Sequence, residues 1–442
     1  MFRKWLLLSV LSPMSAAIAQ AAPSAPVQDS LHLISLQEAV SLAQRNAPAA
    51  VQARGQLRTS ASAVRSAFGS FLPSLTANLS QSQQTGAVLG EQNRLITLTQ
   101  PWRYSMGLST GLELFDGGRR FADLRARRAD VDAAEANEVS QRFNIALQVK
   151  REYANILAAR ESEAAARAQL EQAEAQLRSA VARVQAGAAT MSDSLRSLIQ
   201  VGNARLALIT AQNNVRVASA ALTRLAATPF VVTANPADTA DVPLMTVDSA
   251  VLERLALEGP AVQQAQLQLR AAGAATRAAR STYLPNVRMS YSYNGAGTDP
   301  YRFSTSDEFR YGSSLTFSLN FPIFNNFNRE DQVVRARVAE DNAAAQLRDA
   351  RLAAQQSLVQ QLGALQTAEE RIRIQQASVL AAQEDLRVQQ QRYTLGASTL
   401  LDLLTSQSQL NQARAALIQA RQDYRIARAQ IEAIIGRDLS SS

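Results

Sequence analysis

The chain has no cysteine, which excludes a disulfide, a thiolate metal site and a lipidated N-terminal cysteine. It has a single histidine, His32, and no metal-spaced ligand cluster. No nucleophile elbow or phosphate loop is present, so the chain does not read as an enzyme, and no catalytic, cofactor or metal site is expected. Lysine is confined to Lys4 and Lys150, so the formal net charge of +8 is carried almost entirely by arginine. Those arginines are spread among Gln and Glu with few aromatics between them. They read as solvated helix faces rather than a nucleic-acid groove, and no nucleic-acid partner is expected. Beyond the N-terminus, no run approaches the roughly 20 apolar residues a spanning helix needs.

The N-terminus reads as a secretory signal. Arg3 and Lys4 form its basic region and Trp5 to Leu11 its apolar core; Ala17-Ile18-Ala19 or Ala19-Gln20-Ala21 offers the cleavage site. The mature protein is therefore expected outside the cytoplasm.

One stretch occurs twice. Arg183-Val184-Gln185-Ala186-Gly187-Ala188-Ala189-Thr190-Met191-Ser192-Asp193 reappears as Arg392-Tyr393-Thr394-Leu395-Gly396-Ala397-Ser398-Thr399-Leu400-Leu401-Asp402, at a constant shift (396 − 187 = 209). Glycine lets a helix leave through a left-handed residue. Thr-x-x-Asp is a capping-box variant that opens the next helix. Each copy therefore predicts the tight tip of a helical hairpin. Further upstream, helices start at Pro48 and Pro260 and end at Pro73 and Pro285, both pairs at one shift (260 − 48 = 212; 285 − 73 = 212). The two halves of the chain are a duplication.

Between those features the pattern changes to period two. Leu75, Ala77 and Leu79 alternate with polar neighbours, as do Met106, Leu108, Leu112 and Leu114. In the second half Val287, Met289, Tyr291 and Tyr293 alternate in the same way, as do Leu315, Phe317, Leu319 and Phe321. The strands run about ten residues, the length of a membrane β-strand. Trp102, Tyr104, Tyr301, Phe303, Phe309 and Tyr311 flank them, as interfacial girdles do. Four strands cannot close a barrel, and an open edge in lipid leaves backbone groups unpaired. A barrel must then be shared: two chains would give about eight strands and three about twelve, wide enough for a pore.

Phe115-Asp116-Gly117-Gly118 and Phe324-Asn325-Asn326 turn out of the strands into helices that run to about Ala186 and Leu395. Each spans roughly 100 Å at about 1.5 Å per residue, far more than a globular core needs. The helices carry heptads, among them Leu403, Leu410, Leu417, Tyr424 and Ile431, then Val201, Leu208, Val215 and Leu222, then Leu365, Ile372, Val379, Leu386 and Tyr393. Thr228 to Pro243 is expected to wrap outside the regular elements as a loop. The chain thus divides into a signal peptide (1–21), a first-repeat N-terminal segment and helices (22–72), strand pair 1 (73–115), helical hairpin 1 (116–227) and an equatorial loop (228–249). Second-repeat helices (250–284), strand pair 2 (285–324), helical hairpin 2 (325–436) and a C-terminal tail (437–442) complete it.

This arrangement resembles the TolC-type outer membrane efflux proteins over nearly the whole mature chain. Phe71-Leu72-Pro73, Leu114-Phe115-Asp116-Gly117-Gly118, Tyr283-Leu284-Pro285 and the duplicated tips carry the resemblance. It implies a homotrimer with a shared 12-stranded β-barrel in the outer membrane lipid and a long α-helical barrel of coiled-coil hairpins in the periplasm. It implies a passive channel of a tripartite efflux or type I secretion system, fed by an inner-membrane transporter and a periplasmic adaptor. By the same resemblance Asp402 narrows the periplasmic entrance, with Thr405 where the family's archetype has a second aspartate. Asp193 and Tyr393 match positions that lock neighbouring hairpins, and Ser398 stands where the lock's arginine is usual. Arg183, Gly187, Thr190, Arg392, Gly396 and Thr399 mark the tips that an adaptor would touch. The alternative is a periplasmic coiled-coil adaptor or scaffold without a barrel, soluble without detergent; the aromatic-flanked strands argue against it.

Overall fold

The computed structural model describes residues 32–89, 95–99, 101–239, 249–298 and 309–439. The expected signal segment, its leader, Tyr301 and Phe303 lie outside the described residues, as does the end of the expected 228–249 loop. In chain order the elements are β1 (His32–Ile34), α1 (Leu36–Asn46), α2 (Pro48–Gly69), β2 (Ser74–Ser82), β3 (Thr85–Leu89), β4 (Leu95–Thr99), β5 (Arg103–Phe115), α3 (Arg119–Gln185) and α4 (Met191–Ala226). The second half follows with β6 (Val232–Ala234), α5 (Ser249–Leu257), α6 (Pro260–Arg280), β7 (Asn286–Gly297), β8 (Phe309–Asn320), α7 (Asn328–Thr394) and α8 (Leu400–Ile435).

The duplication is visible in the lengths. The helices α3 and α7 each have 67 residues, and α4 and α8 each have 36. Each long pair is an antiparallel hairpin zipped along the seams the heptads define. Leu403, Leu410, Tyr424 and Ile431 are buried between α7 and α8, with Leu365, Leu386 and Tyr393 facing them. Alanine and serine fill the intervening layers; Ala204, Ala211 and Ser219 are buried on α4 and Ala420 and Ala427 on α8. Such small residues let helix axes approach closely, so a thin wall can still be dry inside.

The long helices start differently in the two halves. In the first, Gly117 (φ 67°) and Gly118 (φ 79°) make the left-handed turn. The buried Asp116 carboxylate then accepts from the Arg120 backbone N–H at 2.9 Å and from its Nε at 3.0 Å. In the second half Asn326 (φ 55°) and Phe327 (φ 61°) occupy the same two positions (326 − 117 = 209), with side chains where the first copy has none.

The shorter helices show how the halves meet. Helix α6 packs between α3 and α7, joining the two halves. Its repeat mate α2 packs on α3. Likewise α8 packs on both α7 and α3, whereas its mate α4 packs on α3. The four long strands form one antiparallel sheet, ordered β2-β5-β7-β8, in which β2 and β8 are the edges.

Three sequence expectations need correction. The 228–249 loop is not wholly irregular: β6 pairs in parallel with β1, and Val232, Thr233 and Ala234 are buried against Tyr153, Ile156 and Leu222. Strand pair 1 also contains a second, shorter hairpin, β3–β4, continuing beyond β2 and β5. Finally, Leu114 does not continue the face of Leu112. A bulge shifts the register between Glu113 and Phe115, so Phe115 opposes Val287 and joins that face instead.

Candidate functional site

The register of the four-stranded sheet sorts its side chains into two unlike faces. Leu75 lies opposite Thr110, which lies opposite Tyr291, which lies opposite Leu315; the next rows run Ala77–Leu108–Tyr293 and Leu112–Met289–Phe317. Leu75, Leu79, Leu108, Tyr291, Tyr293, Leu315, Phe317 and Leu319 are all at least 40% exposed, so this face is a broad apolar surface interrupted by Thr110 and by Ser313 opposite Tyr293. The opposite face reads Thr76–Ser109–Ser292–Ser314 and Asn78–Gly107–Asn294–Gly312 across the strands. Serine hydroxyls tie it laterally, Ser80 to Ser105 at 2.6 Å and Ser292 to Ser314 at 2.9 Å. A sheet with mainly hydrocarbon-like residues on one face and hydroxyls and amides on the other suits lipid on one side and water on the other. Tyr104 and Tyr311 stand near its far end, with the Tyr311 ring stacked on Tyr293 at 5.3 Å. Trp102 is exposed just before β5. Among the described residues no helix is long and apolar enough to cross a membrane.

At the other end of the molecule are the two hairpin tips. Both turns are built alike. Gly187 N–H donates to the Val184 carbonyl at 3.0 Å and Ala188 N–H to that of Arg183 at 2.8 Å. Gly396 and Ala397 repeat the pair onto Tyr393 (3.2 Å) and Arg392 (2.8 Å). Gly187 (φ 71°) and Gly396 (φ 76°) are left-handed, as a helix exit requires. The following helices then start on reciprocal caps. The Asp193 carboxylate accepts from Thr190 N–H at 3.1 Å and its Oγ1 at 2.9 Å; that of Asp402 accepts from Thr399 N–H at 3.0 Å and its Oγ1 at 2.7 Å. Asp402 also accepts from Ser398 Oγ at 3.3 Å, while Ser398 donates to Gln389 at 3.0 Å. The Thr399 hydroxyl, then its backbone N–H, Ser398 and the positive charge of Arg392 hold the Asp402 carboxyl below the usual carboxylate range.

The remaining expected site residues fall into place around these turns. Thr405 donates back to the Leu401 carbonyl at 2.9 Å, one turn below Asp402 on the exposed side of α8. Tyr393 is buried and meets Arg183: Arg183 Nη1 donates to the Tyr393 carbonyl at 3.0 Å, and its guanidinium lies 4.7 Å from the ring centre. The structure therefore brings together Arg183 with Tyr393, Thr190 with Asp193, and Ser398, Thr399 and Asp402 with one another. The Arg183–Tyr393 contact is one that sequence reasoning did not foresee, since residues 210 apart carry no mutual signal.

Midway along the helices the halves are clamped by charge. Lys150 on α3 donates to Glu432 on α8 at 2.6 Å and to Asp438 just beyond it. Arg421 and Arg425 of α8 flank Glu161 of α3 at 3.8 and 3.9 Å. Burial lowers the Lys150 pKa, but the hydrogen bonds to Asp438 and Glu432 outweigh it and the net shift is upward. Nearby, Tyr153 donates to the Ile34 carbonyl at 3.0 Å and to Asp238, which fastens β1 and the turn after β6 onto α3; burial pushes its pKa up. His32 lies against Phe230, ring centres 4.6 Å apart, in this belt. Among the described residues no group of His, Asp or Glu is placed to hold a metal ion.

A two-faced sheet at one end of a pair of roughly 100 Å helical hairpins defines a channel protein of an outer membrane. Residues 39–228 and 251–437 match the model of the outer membrane efflux protein family, and the chain belongs to that family. It is 30% identical to Protein CyaE of Bordetella pertussis over 354 residues, 76% of this chain and 70% of that protein. It is 27% identical to the pyoverdine export outer membrane protein OpmQ of Pseudomonas aeruginosa over 322 residues, 72% of this chain and 66% of that one. The fold is shared with the open state of the MtrE outer membrane channel of Neisseria gonorrhoeae (TM-score 0.73, 21% identity, 91% of this chain and 89% of that chain). The protein is an outer membrane efflux channel.

Proposed function

We propose that three copies close into one duct whose sheet is a shared 12-stranded barrel and whose hairpins form a periplasmic tube. The observation that carries this reading is the pair of unmatched flanks left by the duplication. Within the chain α6 bridges α3 and α7, while α2, its mate, packs on α3; α8 touches α7 and α3, while α4 has α3. Filling the free flanks of α2 and α4 with the α7 of another copy repeats the contacts already made inside the chain. The faces fit at the same height: near its tip end α4 exposes Leu195, Leu198, Ile199, Leu206 and Ile209, and near its own tip end α7 exposes Ile374, Leu380 and Val388. The sheet obeys the same rule. The pair β5–β7 joins the halves, its repeat equivalent is β8 against the β2 of the next chain, and four alternating strands make that junction antiparallel too. A head-to-tail contact that closes on itself makes a ring; four strands per copy reach a water-holding width at about three copies.

The tips then face an inner-membrane transporter through a periplasmic adaptor, which engages Arg183, Gly187, Thr190, Arg392, Gly396 and Thr399. Asp402 and Thr405 narrow the entrance, and Asp193, Tyr393 and Ser398 contribute to holding the hairpins together. The division of each half into short helices, a strand pair and a hairpin follows the duct's layers. The energised step belongs to the transporter, so the duct conducts passively, in a tripartite efflux or type I secretion assembly. Native mass measurement in detergent tests the count: three chains are expected, and a lone monomer or a dimer sinks the reading. In planar bilayers Asp402→Ala is expected to conduct better than the parent; equal conductance removes Asp402 from the gate.

A further inference from the structure

Arg183 and Arg392 are the same position in the two copies of the tip (392 − 183 = 209), yet they do different work. Arg392 Nη2 donates at 3.4 Å to Ala397, inside its own turn. Arg183 leaves its hairpin. Its Nη1 reaches the Tyr393 carbonyl at 3.0 Å while its guanidinium covers the Tyr393 ring at 4.7 Å. That carbonyl belongs to the last turn of α7 and already accepts from Gly396 N–H at 3.2 Å. A cation placed there satisfies a helix-end acceptor and meets the negative end of the helix dipole. Tyr393 is buried in the core of its own hairpin, beside Leu386, Leu400 and Leu403, and the Arg183 guanidinium of the neighbouring hairpin covers its ring.

The duplication makes this contact one-sided. Where the second copy has Tyr393 the first has Val184 (393 − 184 = 209). In a ring of six hairpins, Arg392 would meet Val184 of the next chain, which offers no aromatic face. Three ring-clamped junctions, each within a chain, would alternate with three that lack the clamp.

We propose that Arg183 is a positioning residue of the entrance: it ties the tip of the first hairpin to the tip of the second in the same chain through Tyr393, and so keeps the mouth of the duct narrow. The inference rests on the duct reading above. It differs in chemistry from a lock made by the tyrosine hydroxyl. The guanidinium uses the face of the ring and a backbone carbonyl, neither of which needs the phenol oxygen. The Asp193 carboxylate, for its part, is engaged by Thr190 at 2.9 and 3.1 Å.

Single-channel recording on the full-length protein in planar bilayers tests this, with the heat-resistant oligomer on gels as the folding control. Arg183→Ala and Tyr393→Leu are expected to raise the conducting fraction about fivefold, the scale of losing one cation–π contact with its hydrogen bond. Tyr393→Phe, which keeps ring and carbonyl, is expected to behave as the parent. Arg183→Lys, which keeps the charge without the planar fork, is expected to fall between. If Tyr393→Phe opens the pore as far as Tyr393→Leu, the hydroxyl carries the lock and the proposal is overturned. If pores form and Arg183→Ala leaves the conducting fraction unchanged, the tie alone falls. If neither parent nor variants form an oligomer or a pore, the duct reading falls and takes the tie with it.

Discussion

Asp402 is first a helix cap. Its carboxylate holds the N–H and hydroxyl of Thr399, and the charge sits at the positive end of α8. Because the folded pKa is depressed, the stability it lends is complete above the ordinary carboxylate range and fades only as pH falls through that lowered value. Hydrogen exchange of residues 399–402, corrected for intrinsic rates, is therefore expected to match at pH 7 and pH 5. A loss of protection between those values would contradict the capping geometry. The turns into the long helices allow a second comparison at this scale. A Cβ on Gly117 would stand 2.4 Å from Leu284 Cβ and 2.9 Å from the Ser281 carbonyl, whereas one on Gly118 meets nothing within 4 Å. Phe327, at the place of Gly118 in the second copy, shows that a side chain is accepted there in a left-handed conformation. Gly118→Ala should cost about 1 kcal/mol from backbone strain alone. Gly117→Ala adds overpacking and should cost about 3 kcal/mol, seen as a larger drop in the oligomer's melting temperature. The caps were legible in the sequence because Thr-x-x-Asp and a preceding glycine act within one turn. Arg183 on Tyr393 was not, since nothing local links them.

At the scale of elements, legibility followed length. The 67-residue helices announce themselves by heptads, and β7 and β8 by alternation over 12 residues each. Strand β6 is three residues long and buried on both faces, so Val232-Thr233-Ala234 shows no alternation to read. The bulge at Glu113–Phe115 escaped for another reason: Leu112, Leu114 and Phe115 are all apolar, so the pattern is the same with or without the extra residue. Between elements, the Lys150–Glu432 pair joins α3 to α8 with side chains 18% and 8% exposed. Lys150→Met would leave Glu432 buried with Arg428, 3.4 Å away, as its remaining cationic partner. The expected cost is about 2 kcal/mol, reduced by that arginine, and Lys150→Met with Glu432→Leu should recover part of it in thermal melts. The Lys150 pKa is raised, so its contribution is present at every pH below the lysine range and is lost only as pH rises through the folded value. Melting temperatures at pH 6 and pH 9 should show the same difference between parent and variant.

For the whole molecule, the duplication predicts how copies join. The pair Thr110–Tyr291 inside the chain becomes Leu319 against Leu79 of the next chain when each residue is carried to its repeat mate (110 + 209 = 319; 291 − 212 = 79). Directly opposed strand residues have Cα atoms about 4.5–5.5 Å apart, within a disulfide's span. The chain has no cysteine of its own. Leu79→Cys with Leu319→Cys should therefore form a covalent species of three chains under oxidation, and either single variant should form none. Cross-linked dimers without trimers, or no product, would refute this register. The architecture was readable at this scale because two independent shifts, 212 and 209, fix a repeat that no single element could establish.

The raw borders of β2 and β8 also govern how the protein matures. A freshly secreted subunit carries two sticky selvedges and a greasy flank that nothing in its own sequence can hide. In the proposed three-copy duct, its survival before insertion is a race between meeting two siblings and meeting anything else. Formation of the finished pore should accordingly slow steeply on dilution, more so than for a barrel woven from one thread.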